Sequence, residues 1–229
     1  MKFGVVIFPG SNCDHDIIYV LRDLLDQQVE ILWHKESNLK KSDAILVPGG
    51  FSYGDYLRAG AIARFSPIMN EVINFAEKGK FVFGICNGFQ VLCEAKLLPG
   101  ALLKNKHQQF ICKNVFIKSE HDNTLLTAHI PKNKVLKIPI SHGEGNYYAD
   151  SQTLKEMHLN EQILFRYCDQ NGTITEEANP NGSVENIAGI CNKNKNVFGM
   201  MPHPERASDD ELYNTDGRVF FESILKSLS

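Results

Sequence analysis

Apolar residues in the first part of the chain fall into short runs at 3–8, 29–34, 44–47 and 81–85, rich in Val, Ile and Phe. Runs of that length without polar alternation read as strands buried on both faces of a sheet. Between the first two runs, and again between the last two, the spacing changes to that of amphipathic helices. This is the rhythm of βαβ units, with a parallel sheet covered by helices. The first helix is expected to begin around residues 11–14, whose polar side chains can cap its free N–H groups. It then turns Ile17, Ile18, Leu21, Leu24 and Leu25 to one face. Two further helical pieces are expected over 56–64 and 67–77, divided at Ser66-Pro67, where proline suits a first helical turn.

Beyond about residue 107 the pattern predicts strands at 110–118, 135–140, 163–168, 187–191 and 197–201. Gln170-Asn-Gly172 and Asn179-Pro-Asn-Gly182 read as turns, and 217–228 reads as a closing amphipathic helix. The expected fold class is therefore α/β: a mostly parallel central sheet flanked by helices, with antiparallel strands added in the C-terminal half. No internal repeat or low-complexity linker interrupts it, so residues 1–229 are expected to form a single domain.

A formal net charge of −3 gives no electrostatic case for nucleic acid or an anionic membrane as partner. No stretch approaches 18 consecutive apolar residues, and the N-terminal run is too short for a secretory signal. The six cysteines, at 13, 86, 93, 112, 168 and 191, show no CxxC and no regular spacing. They read as reduced thiols of a cytoplasmic protein, with Cys93, Cys112, Cys168 and Cys191 as buried structural residues.

Cys86 stands apart. It lies where the apolar run 81–85 meets Gly84-Ile-Cys86-Asn-Gly88 and then a helical pattern, the sequence form of a nucleophile elbow. The small glycines permit the tight turn, and the helix beginning near Asn87 directs free N–H groups and its positive end at the sulfur. Both favour the nucleophilic thiolate. A second piece is Met201-Pro-His203-Pro-Glu205. Proline on either side stiffens the backbone at His203, and Glu205, two residues on in an extended segment, falls on the same side. The carboxylate can then hold the imidazole's orientation and tautomer. Cys86, His203 and Glu205 make a candidate triad for acyl transfer through a thioester.

The third piece is Val47-Pro-Gly-Gly50-Phe-Ser-Tyr-Gly-Asp55, where Gly50 N–H and Asn87 N–H are candidate oxyanion donors. A phosphate loop is disfavoured, because neither GxxxxGK[ST] nor GxGxxG follows. Cys13-Asp-His15-Asp16 carries metal-ligating residue types, but without a second pair its acidic residues read better as complements to the first helix dipole. Pro139-Ile-Ser141-His142-Gly-Glu-Gly145 reads equally as a strand-end turn or a binding loop. The residues alone leave open a cysteine peptidase, a γ-glutamyl hydrolase or a redox-active thiol protein on the same elbow.

Together, Gly84-Ile-Cys86-Asn-Gly88-Phe-Gln90 and Pro202-His203-Pro-Glu205 resemble the elbow and the His-Pro-Glu ending of the class I, triad-type glutamine amidotransferases, whose domain is flavodoxin-like. Four further segments narrow the resemblance: Phe8-Pro-Gly-Ser-Asn-Cys-Asp14, the run from Gly49 to Gly60, Ser141-His-Gly-Glu-Gly145 and Met201-Pro-His-Pro-Glu-Arg206. They are similar to the glutaminase subunits of phosphoribosylformylglycinamidine synthases, nearly end to end. This resemblance implies Cys86 as nucleophile, His203 as acid–base and Glu205 as its orienter. It implies Gly50 and Asn87 as oxyanion donors, with Gln90, Ser141 and His142 near bound L-glutamine. It further implies hydrolysis of glutamine to glutamate and delivery of ammonia to a separate synthetase subunit accompanied by a small third subunit. No cofactor or metal is implied in this chain; ATP and Mg2+ would be used by the synthetase.

Overall fold

The computed structural model describes residues 1–228. Its N-terminal part alternates β1 (Lys2–Ile7), α1 (Asp14–Tyr19), β2 (Gln28–Trp33), β3 (Ala44–Val47), α2 (Pro67–Glu77), β4 (Phe81–Ile85) and α3 (Asn87–Glu94). The remainder adds β5 (Ala101–Leu103), β6 (Ile111–Ser119), β7 (Val135–His142), β8 (Asn146–Tyr148), α4 (Ser151–Leu159), β9 (Ile163–Cys168), β10 (Ile187–Cys191), β11 (Val197–Met200) and α5 (Arg218–Leu228). Nine strands form one sheet in the order β2-β1-β3-β4-β11-β10-β9-β6-β7, and β5 pairs with β8 separately. The half running from β2 to β11 is parallel, and the half from β10 to β7 is antiparallel. The order 2-1-3-4 followed by a fifth parallel strand is the doubly wound, flavodoxin-like arrangement, which gathers functional loops at the carboxyl ends of the strands.

β1, β3, β4 and β11 are almost wholly buried because helices cover both faces. β2 departs from the expected two-sided burial: it is the sheet's edge, and Ile31 and Trp33 are exposed. α1 begins at Asp14 but uses no side-chain cap; the Gly49 carbonyl instead accepts from the N–H groups of Asn12 and Cys13, at 3.2 Å each. After Tyr19 the helix widens into a π-helical turn over Val20–Leu24.

No α-helix forms over 56–64, which holds only the start of a 3-10 turn at Ala63–Phe65. Asp55, Leu57 and Gly60 adopt positive φ, which breaks a right-handed helix each time it occurs. The segment is instead tied down by Arg58, which grips Glu94 at the end of α3 through two 2.7 Å bonds, and by Arg64, which donates to the Glu94 carbonyl. Cys112 is also corrected: it is exposed, because the first part of β6 projects from the core.

Candidate active site

Four neighbouring strands, β1, β3, β4 and β11, end at the same edge of the sheet, and the loops leaving them build the site. Cys86 follows β4 with φ 52° and ψ −108°, a left-handed conformation that an unconstrained cysteine avoids. Its N–H donates to the Met200 carbonyl of β11 at 2.8 Å, and its carbonyl accepts from Gln90 N–H in α3. The residue is thereby pinned between a strand and the helix it opens. The thiol is only 4% exposed and lies 3.7 Å from the Ser141 carbonyl.

His203 leaves β11, the strand paired in parallel with β4, so nucleophile and imidazole emerge from adjacent strand ends. Its N–H donates to the Pro139 carbonyl, and its Nδ1 meets Glu205 Oε1 at 2.6 Å. Both side chains are fully buried. Burial acts most strongly on the imidazole and pushes its pKa down; Glu205, Cys86 and Cys13 together outweigh it and hold the pKa well above its ordinary value. A paired imidazolium next to the thiol results. Nε2 of His203 and Oε2 of Glu205 are buried without a hydrogen-bond partner. A cavity of about 420 Å³ is lined in part by Pro139, Ser141, His203, Arg206 and Tyr213.

Gly50 has φ +142°, and a Cβ there would lie 2.7 Å from the Gly10 carbonyl oxygen and 2.6 Å from Asn12 N, so only glycine lets the β1 and β3 loops meet this closely. The two loops are joined by a bridge between Ser11 and Gly50, using the Asn12 and Phe51 N–H groups and leaving that of Gly50 unengaged. Asn87 opens α3, where its N–H belongs to the unpaired first turn. Its side chain is committed: Oδ1 accepts from Ser52 N–H, and Nδ2 donates to Asp55 Oδ1 and Gln90 Oε1. Gln90 in turn donates to the Glu144 carbonyl, tying the 141–145 segment to the elbow. Burial and then neighbouring Glu144 push the Asp55 carboxyl up to about 6, against the Asn87 bond.

Ser141 and His142 lie in β7, which continues two residues beyond the expected end. The Ser141 carbonyl faces the thiol, whereas the His142 ring is turned into the framework. Its Nδ1 donates to Asn105 Oδ1, Nε2 faces the Asn181 amide, and burial with nearby His203 lowers its pKa to about 4. Two residues not anticipated at the site are Cys13 and Arg206. Cys13 sits beside His203, and Arg206 binds both Asp16 Oδ2 at 3.0 Å and Cys13 Sγ at 3.2 Å. Cys13 and Arg206 lie inside the segments Phe8–Asp14 and Met201–Arg206, and Cys13 carries a ligating residue type, but nothing in the sequence brings the two together at the imidazole.

A doubly wound sheet with a thiol elbow at one strand end and a His-Glu pair at the next is the architecture of a glutamine amidotransferase domain, and the CobB/CobQ-like glutamine amidotransferase domain family matches residues 1–218. The chain is 58% identical over 228 residues to phosphoribosylformylglycinamidine synthase subunit PurQ of Acaryochloris marina, covering 100% of this chain and 97% of the relative. The corresponding PurQ subunit of Koribacter versatilis is 57% identical over 229 residues, covering 100% and 99%. Among solved structures, a chain of PurLQS from Thermotoga maritima superposes with a TM-score of 0.87 at 39% identity, covering 100% of this chain and 99% of that one. The chain belongs to the PurQ family of phosphoribosylformylglycinamidine synthase subunits, within the CobB/CobQ-like glutamine amidotransferases. No helix among the described residues is long and apolar enough to cross a membrane.

Proposed function

We propose that Cys86, His203 and Glu205 release ammonia from L-glutamine for phosphoribosylformylglycinamidine synthesis. The Cys86 thiolate attacks the side-chain amide carbonyl, and the oxyanion that forms is met by the N–H groups of Gly50 and Asn87. His203 gives its Nε2 proton to the departing nitrogen, so the C–N bond breaks and ammonia leaves a γ-glutamyl thioester. The imidazole, now neutral, takes a proton from water as that water attacks the thioester; glutamate departs and the thiolate–imidazolium pair is restored. Glu205 stays on Nδ1 throughout and holds the ring in the required tautomer. Gln90 and His142 act through position, one tying 141–145 to the elbow and the other bracing the end of β7.

The observation that carries this reading is the pairing of β4 with β11, which sets a left-handed Cys86 beside a His203 already held by Glu205 at 2.6 Å. The ammonia is consumed by a synthetase subunit, assembled with this chain and a small third subunit. That partner uses ATP and Mg2+ to convert formylglycinamide ribonucleotide to its amidine in the cytoplasm. In the reconstituted complex, Cys86→Ala is expected to abolish glutamine-dependent synthesis while synthesis from added ammonium salts persists. Loss of both together would show that Cys86 is structural and overturn the assignment.

A further inference from the structure

The metal-ligating residue types of Cys13-Asp-His15-Asp16 separate in the fold. The His15 side chain is 91% exposed, whereas Cys13 is buried and turned toward His203. Ligand atoms of Cys13, His203 and Glu205 lie within 4.8 Å of one another, all in buried residues. Glu205 occupies Nδ1, which leaves Nε2 as the nitrogen available, and Nε2 is buried without a hydrogen-bond partner. Both the Cys13 and Cys86 thiols stand beside the imidazole. Bare Gly49 forms one wall of the space among them: a Cβ there would lie 2.8 Å from His203 Cε1, 3.0 Å from Cys13 Sγ and 3.4 Å from Cys86 Cβ.

We propose that Cys13 Sγ, Cys86 Sγ and His203 Nε2 bind a soft divalent cation of the Zn2+ class, and that this occupancy switches the glutaminase off. Two thiolates and an imidazole are the donor set that selects such an ion over Mg2+. A histidine whose second nitrogen is fixed by a carboxylate is the arrangement that orients imidazole toward a metal. Zinc–ligand bonds of about 2.0–2.3 Å require the Cys13 and Cys86 side chains to rotate toward Nε2 from their places beside Gly49. On binding, each cysteine coordinates as thiolate and the imidazole coordinates as the neutral ring. The protons these groups hold are released to solvent, so affinity rises with pH. Arg206 donates to Cys13 Sγ at 3.2 Å and fixes the sulfur that lies outside the proposed catalytic triad. The inhibitory consequence rests on Cys86 being the nucleophile; the binding itself does not.

The test has two arms. With the full chain loaded with one equivalent of Zn2+, X-ray absorption at the zinc edge is expected to show two sulfurs at about 2.3 Å and an imidazole nitrogen at about 2.0 Å. Cys13→Ser should reduce the sulfur count to one. With the reconstituted complex, buffered Zn2+ should suppress glutamine-dependent synthesis reversibly and spare ammonia-dependent synthesis, and Cys13→Ser should require at least about ten-fold more Zn2+. One sulfur or none in the wild-type spectrum overturns the site, and this readout stands even if Cys13→Ser does not fold. Unchanged Zn2+ sensitivity in Cys13→Ser, or equal loss of ammonia-dependent synthesis, overturns the switch.

Discussion

Replacing Glu205 by Gln tests how the buried pair works, because it keeps the side chain's shape and removes its charge. In the wild type the His203 Nδ1–Glu205 Oε1 contact is 2.6 Å, with both groups shielded from water. A charge-assisted hydrogen bond of this kind contributes about 2–3 kcal/mol. If it serves the transition state in which the imidazole is cationic, its loss slows glutamine-dependent synthesis by about 30- to 150-fold, at 1.36 kcal/mol per decade. Burial is the strongest single influence on His203 and pushes its pKa down; Glu205 is the first of the groups that outweigh it. Without the carboxylate the imidazole loses the first of the groups that hold its proton, and its pKa falls. Because the folded pKa is raised, the stability from this pair is fully present below about pH 6.5 and is lost as pH rises through the folded pKa. The variant's deficit in unfolding free energy is thus largest near pH 6 and shrinks toward alkaline pH. Initial rates of the reconstituted complex with glutamine and with ammonium chloride, together with urea unfolding across pH, check these outcomes. A glutamine rate within about three-fold of wild type, or an equal fall in the ammonia rate, would refute the reasoning.

Gly88→Ala should cost about 3 kcal/mol in denaturant unfolding, because the new Cβ would overlap the Val47 carbonyl, a backbone group of β3 with no rotamer to yield; a loss below about 1 kcal/mol would mean that the elbow shifts freely. His142 has its pKa lowered from 6.5 to about 4, so the stability it contributes is present above pH 6.5 and is lost as pH falls toward 4. Wild type is therefore expected to lose about 3 kcal/mol over that range which His142→Gln does not, as the difference between their pH–stability curves.

The strands were legible where local pattern and tertiary fate agree. Residues 44–47, 81–85, 163–168 and 187–191 form strands with the expected bounds, because all their residues but Arg166 are apolar or small and buried. β2 carries a similar apolar run but sits at the edge, a position that depends on strand order. The helix expected over 56–64 fails where Asp55 and Leu57 take positive φ, and the segment is held instead by contacts outside any local window, from Arg58 to Glu94 of α3 and from Ala59 to Glu144. α4 was passed over since only Met157 of its residues is buried, although Asp150, which accepts from Thr153 N–H, is a recognisable cap. At the site, Cys86 and the His203-Glu205 pair announce themselves through turn chemistry and spacing. The neighbours of the imidazole do not: Cys13 reaches it because β1 and β3 pair, and Ser141 because β7 runs past its apolar stretch.

The pairing of β4 with β11 brings the nucleophile and the imidazole together across a long stretch of sequence. About half the chain separates Cys86 from His203, yet the gap they must span is one strand spacing, about 4.8 Å, fixed by backbone hydrogen bonds from Val82 to Ile85. The stretch between them is not idle, since β7 returns to the same point: the Pro139 carbonyl accepts from His203 N–H and the Ser141 carbonyl faces the thiol. Two distant parts of the chain are thus clamped by one frame, and a change in the intervening stretch is neutral to bond breaking only where it stays clear of residues 139–145.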